Sequence, residues 1–198
     1  MELDGQPGLI VGGGTVALRK VQKLLPYGPR LTVVSPHILP ELEQIPGLIL
    51  SRREFSPDDL AGVFFAVAAT DDQVLNRTVS ALCRARNIPV NAVDDRDACS
   101  FLFPALVKRG GLSVGISTSG ASPTAAIWLK EQINALLPER FDRILDWLEE
   151  QRPRLKSLIP GEVQRSRLFA ALFTACLEQG RPLTEAEFLE LLQEEGLK

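Results

Sequence analysis

A strand-like run, Leu9-Ile-Val11, passes straight into Gly12-Gly13-Gly14, and a helical pattern opens at once behind the glycines. Gly12, Gly14 and Ala17 fill the G-x-G-x-x-[G/A] spacing of a dinucleotide-binding turn. Each position has a steric reason. Gly12 permits the tight turn, Gly14 carries no Cβ that would hold a pyrophosphate off the backbone, and Ala17 lets the helix pack closely on its strand. The free N–H groups at the helix start, aligned with its dipole, attract anions. The plainer alternative is a tight strand-to-helix turn without a ligand, but a second strand follows as a βαβ unit requires.

The segments that follow keep that rhythm. Val16 to Leu25 reads as the first helix, with Val16, Ala17, Val21, Leu24 and Leu25 available for its apolar face, and Pro26-Tyr27-Gly28-Pro29 stops it. Leu31-Thr-Val-Val34 is a short buried strand. A typical NAD site carries Asp or Glu just beyond such a strand, about 20 residues past the glycines. Here Ser35-Pro36-His37 stands instead, offering a hydroxyl to a ribose and no arginine to a 2′-phosphate, so NAD is favoured over NADP. Leu48 to Arg52 is a third strand and Ser56 to Leu60 a short helix start. Val63-Phe-Phe-Ala-Val-Ala-Ala69 is a continuous apolar run, as a central parallel strand demands. It delivers Thr70 and Asp71 to the carboxyl edge of the sheet, where either one caps the next helix or faces a cofactor. That helix continues to about Arg86. Ile88 to Val93 is a further strand that brings Asn91, Asp94 and Asp95 to the same edge. Cys99-Ser-Phe-Leu-Phe-Pro-Ala105 suits a flat ligand or, more plainly, core packing. Lys108-Arg109-Gly110-Gly111 reads as a basic turn and a boundary.

Past that boundary the pattern changes. Leu112 to Ser117 alternates like a strand, and a hydroxyl-rich loop leads to Ser122-Pro123, an N-cap followed by proline at the first helical position. Helices are expected at Thr124–Leu136, Glu139–Gln151, Glu162–Gln179 and Glu185–Glu195, the last with a Thr184/Glu187 capping box. Three cysteines and one histidine in 198 residues show no metal-ligand spacing, so no bound metal is expected, and the reduced thiols point to a cytoplasmic setting. A net charge of −3 argues against nucleic acid as partner. No run approaches a membrane span or a signal peptide.

Four blocks in order, Ile10 to Lys20, Ala68 to Asp72 with Asn76, Asn91 to Asp95 with Cys99-Ser-Phe101 and Pro104-Ala105, and Ile116 to Pro123, resemble the precorrin-2 dehydrogenase family of sirohaem biosynthesis. The likeness covers about Leu9 to Pro138, and the third and fourth blocks make it specific. It implies an α/β fold with an N-terminal Rossmann-like parallel sheet (1–111), a central dimerisation segment (112–145) and a helical C-terminal region (146–198), without a fused methyltransferase. It implies NAD as hydride acceptor, precorrin-2 as substrate and a homodimer. Cofactor contacts carry over to Gly12, Gly13, Gly14, Thr15, Val16, Ser35, Pro36, His37, Thr70 and Asp71. The essential aspartate of the family falls on Asp94.

Dehydrogenation removes a hydride and a proton, so the protein needs to orient two ligands and supply at most a base. Asp94 at a strand end serves as that base or stabilises the developing cation; its plainer role is to cap the following loop. The carboxylates of the substrate call for cations and hydroxyls. Asn91, Lys108, Arg109, Ser117, Thr118 and Ser119 are the candidates, with Arg19, Lys20 and Lys130 behind them. Two further readings are iron insertion as a secondary activity and, from a different class, an NAD-sensing regulatory domain without catalysis.

Overall fold

The computed structural model describes residues 2–194; the expected end of the last helix at Glu195 lies outside the described residues. The chain divides into two units, the first ending at Phe103 and the second beginning at Pro104.

The first unit is built on a five-stranded parallel sheet in the order β3-β2-β1-β4-β5. Its strands are β1 (Pro7–Val11), β2 (Arg30–Val34), β3 (Ile49–Ser51), β4 (Phe65–Ala68) and β5 (Val90–Ala92). Between them run α1 (Thr15–Leu24), a single turn α2 (Pro40–Glu43) and α3 (Gln73–Ala85). Side chains alternate across each strand, and the two helices divide the faces accordingly. Ile10, Val33, Phe65 and Val67 pack with Ala17, Val21 and Leu24 of α1. Leu9, Val11, Ala66 and Ala68 pack with Val79 and Cys83 of α3. Covering both faces explains why β4 is apolar at every position rather than at alternate ones. The order of strands reverses between β1 and β4, the place where such sheets open a crevice at their carboxyl edge.

The second unit opens with an antiparallel hairpin, β6 (Ala105–Arg109) and β7 (Leu112–Ile116), paired from Ala105 with Ile116 to Arg109 with Leu112. Sequence reading expected only a basic turn at Lys108 to Gly111. In the fold Lys108 and Arg109 belong to a strand, and Gly110, at φ 52°, turns it back. Helices α4 (Pro123–Leu136), α5 (Phe141–Leu158), α6 (Glu162–Gln179) and α7 (Glu185–Glu194) follow. Against the expected stop near Gln151, α5 runs through Pro153. The proline ring is exposed, while Leu155 and Ile159 beyond it are buried with Leu168, Leu172 and Phe188. That burial outweighs the roughly 3 kcal/mol a mid-helix proline costs. Among the described residues no helix is long and apolar enough to cross a membrane.

Candidate functional site

The glycine turn sits where β1 ends, and its three glycines do different work. Gly12 holds φ 118° and donates its N–H to the Val34 carbonyl at 2.9 Å. A Cβ there would lie 2.3 Å from the Ala69 carbonyl oxygen, and one on Gly13 would lie 2.1 Å from that of His37. The Leu39 N–H in turn donates to the Gly13 carbonyl at 2.9 Å. The turn is thus clamped between the end of β4 and the loop after β2. Gly14 is the N-cap of α1 in ordinary extended backbone, φ −89°, and a Cβ on it would meet nothing within 4 Å. No side chain caps this helix, and no acidic residue stands in its first turn. Its leading N–H groups therefore face outward past an open glycine, the arrangement that receives a phosphate.

These groups border a cleft of about 1030 Å³, of the size of cofactor sites. Gly12, Gly13, Gly14, Thr15 and Val16 line one side of it, and Ser35, Pro36 and His37 another. Thr70, Asp71 and Asp94 complete the rim, so the sequence-derived cofactor residues and the candidate base share one cavity. An extended dinucleotide fits this cradle, because the open flank of Gly14 leaves room for a pyrophosphate against the backbone. The Ser35 hydroxyl donates to the His37 carbonyl at 2.7 Å, which fixes the loop and leaves the oxygen to accept from a ribose.

Thr70 and Asp71 do not cap α3. Asp72 does, its carboxylate accepting from the Val74 and Leu75 N–H groups at 2.8 and 3.1 Å. An N-cap side chain must reach the second and third amides, and only Asp72 stands in that register. Thr70 is held instead by the fully buried Asn76: the Thr70 N–H and hydroxyl donate to Asn76 Oδ1 at 3.2 and 2.8 Å, and Asn76 Nδ2 donates to the Thr70 carbonyl at 3.0 Å. Asp71 is left exposed on the rim.

Asp94 follows β5 with φ 59°, left-handed backbone that is uncommon outside glycine and that aspartate tolerates better than most residues. Its neighbour Asp95 is paired: Arg77 donates to it at 2.7 Å and the Ala98 N–H at 3.1 Å, and the Arg77 hydrogen bond chiefly holds this carboxyl below the usual range. Asn91 is 4% exposed, and its amide is engaged within the unit. Lys20 donates to Asn91 Oδ1 at 3.0 Å and lies 4.2 Å over the Phe103 ring, with burial pushing its ammonium below the ordinary value. Phe101 stacks edge-on against Phe103 at 5.3 Å, and Phe103 packs on the α1 side of the core, the plainer of the two roles considered for this segment.

The remaining candidates belong to the second unit. Lys108 and Arg109 stand on β6. Ser117, Thr118 and Ser119 form the loop from β7 to α4, where the Ser117 hydroxyl accepts from the Ser119 N–H and Thr118 Oγ1 accepts from the Ser122 N–H. Ser122 caps α4 by accepting from the Ala125 N–H at 3.1 Å. Sequence reading missed Glu54, which lines the cleft from beyond β3. The only signal for it was a carboxylate three residues past a strand end. The neighbouring Arg52 and Arg53 are paired with Glu43 and Asp59.

Comparison with known proteins agrees with this geometry. A family model described as NAD(P)-binding matches residues 1–105, and a model of the central region of sirohaem biosynthesis proteins matches residues 109–136. The siroheme synthase of Ectopseudomonas mendocina is 40% identical over 85% of the chain, and that of Thioalkalivibrio sulfidiphilus 38% identical over 100% of it. The chain spans only 36% and 42% of those two proteins. A solved structure, SirC, precorrin-2 dehydrogenase, superposes with a TM-score of 0.77 at 30% identity, covering 99% of this chain and 96% of that one.

Proposed function

The chain belongs to the precorrin-2 dehydrogenase family with its NAD(P)-binding domain, and from that premise we propose that it oxidises precorrin-2 to sirohydrochlorin with NAD as acceptor. One C–H bond of the macrocycle gives up its electron pair as hydride, a proton leaves, and conjugation extends around the ring. The bound dinucleotide supplies the hydride acceptor. The chain does the rest. Its glycine turn fixes the pyrophosphate, Thr70 and Asp71 border the cleft beside it, and Asp94 takes the proton. The observation that carries this reading is Asp94, exposed and held left-handed on the rim of the cleft that the glycine turn opens. The carboxylates of the substrate are assigned to Lys108 and Arg109 and to the hydroxyls of Ser117, Thr118 and Ser119.

NAD is the proposed dinucleotide rather than NADP. Glu54 adds negative charge to the cleft, and Arg52 and Arg53 are already paired with carboxylates, so a 2′-phosphate meets no spare guanidinium from that strand end. A homodimer is proposed on the exposed Ile127, Trp128 and Leu136 of α4, and a cytoplasmic setting on the three free cysteines.

The test is Asp94→Ala. Following NADH absorbance with precorrin-2, oxidation is expected to fall by about a hundredfold or more, the weight of a general base, with NAD affinity retained. Wild-type turnover by this variant would make Asp94 structural. Binding of NAD by the wild-type protein without any turnover would favour a sensor. Iron insertion into sirohydrochlorin, if measured alongside, is expected to be slower than oxidation and to fall with the same substitution.

A further inference from the structure

The turn that carries Asp94 is spanned from beneath by one thiol. Cys99 Sγ accepts from the Ala92 N–H at 3.2 Å and lies 3.1 Å from the Ala92 carbonyl oxygen and 3.2 Å from that of Asp95, each able to accept its proton. Residues 92 and 95 are the two ends of the turn in which Asp94 is held at φ 59°. Behind the thiol the contacts continue inward. Asn91 Nδ2 donates to Cys99 Sγ at 3.4 Å and to the Phe101 carbonyl at 3.1 Å, and Lys20 donates to Asn91 Oδ1 at 3.0 Å. Lys20 is itself seated over Phe103. The chain of contacts from α1 through β5 thus ends on the backbone of the Asp94 turn.

Aspartate enters left-handed backbone more readily than most residues with a side chain, but at a cost, and bonds across the turn decide whether it stays there. Here the bonds that close the turn from below come from Cys99, whose thiol is already occupied by backbone groups and is not offered to a ligand. We propose that Cys99 is a positioning residue: braced by Asn91 and Lys20, it holds the Asp94 turn in the conformation that presents the carboxylate to the cleft. This rests on the reading of Asp94 as the base.

Two measurements test it. In steady-state assays with precorrin-2 and NAD, Cys99→Ala is expected to lower kcat by ~10- to 100-fold, the effect of a small misplacement of a reacting group. KM for precorrin-2 and NAD affinity should stay within about twofold. Cys99→Ser, which keeps a donor and an acceptor, should recover most of the loss. Added to Asp94→Ala, Cys99→Ala should cost nothing more, because the thiol acts through that carboxylate. The same loss in both backgrounds overturns the proposal. Independently of turnover, hydrogen exchange across residues 91–99 should quicken in Cys99→Ala, and unchanged exchange there overturns the brace. If exchange quickens while the wild-type protein leaves precorrin-2 unoxidised, the brace stands and the functional reading falls. Should Cys99→Ala not fold, Lys20→Met removes the brace from its inner end and is read by the same two measurements.

Discussion

Two glycines two residues apart answer differently to the addition of a side chain. At Gly12 the backbone is left-handed and a Cβ would collide with the Ala69 carbonyl oxygen. Gly12→Ala is therefore expected to destabilise the protein by about 1–3 kcal/mol, seen as a lower Tm with no ligand present. At Gly14 the backbone is ordinary and the Cβ direction is empty. Aspartate is moreover a favoured N-cap, so Gly14→Asp should keep or slightly raise Tm. It should abolish NAD binding, because a carboxylate then stands where the proposed function puts the pyrophosphate. Calorimetry that returned wild-type NAD affinity for a folded Gly14→Asp protein would remove the phosphate from this turn.

Among the elements, α7 shows how a cap couples stability to pH. Glu187 accepts from both terminal nitrogens of Arg181, at 3.0 and 2.8 Å, and from the Thr184 N–H and hydroxyl at 2.7 and 2.9 Å. The Arg181 guanidinium first, then Thr184, holds the carboxyl well below its ordinary 4.5. In the unfolded chain the group takes up its proton near that ordinary value, whereas the folded chain resists it. The stability this creates is complete above pH 4.5 and is lost as the pH falls below it. Urea unfolding across a pH series should show wild type more stable than Glu187→Gln at pH 7, with the gap narrowing below pH 4.5. A gap of constant size would reduce the cap to neutral hydrogen bonding. For α3 the corresponding change is Asp72→Ala, which should cost about 1 kcal/mol and leave Thr70 in the grip of Asn76.

At the scale of the molecule, the prediction concerns what the exposed side chains of α4 are for. Trp128 is 57% exposed and Leu136 81%, large apolar surfaces to leave in water. Light scattering at micromolar concentration is expected to return the mass of two chains, and Trp128→Glu to return that of one. A monomeric wild-type protein with full activity would rule the dimer out. NADP should bind more weakly than NAD in calorimetry; the reverse order would mean that Glu54 and the Ser35 loop have been misread.

By itself the sequence determined what is built from contiguous residues. The β1 turn into α1, the continuous apolar run of β4, the Ser122 cap and the Thr184/Glu187 box are short-range matters of sterics and patterning, and each stands where its residues imply. It also put Asp94 at a strand end beside the glycines. What only the tertiary structure decided depends on partners far away in the chain. Lys20, to sequence reading one more candidate for the carboxylates of the substrate, becomes a half-buried donor because Asn91, 71 residues on, arrives beside it. Glu54 reaches the cleft only because β3 pairs with β2. β6 was invisible because a strand is defined by the neighbour it bonds to, and α5 passes Pro153 because the packing of Leu155 and Ile159 outweighs a local preference. The left-handed backbone of Asp94 belongs to the same class: aspartate tolerates it better than most residues, but the bonds that hold its turn at residues 92 and 95 come from Cys99, further along the chain.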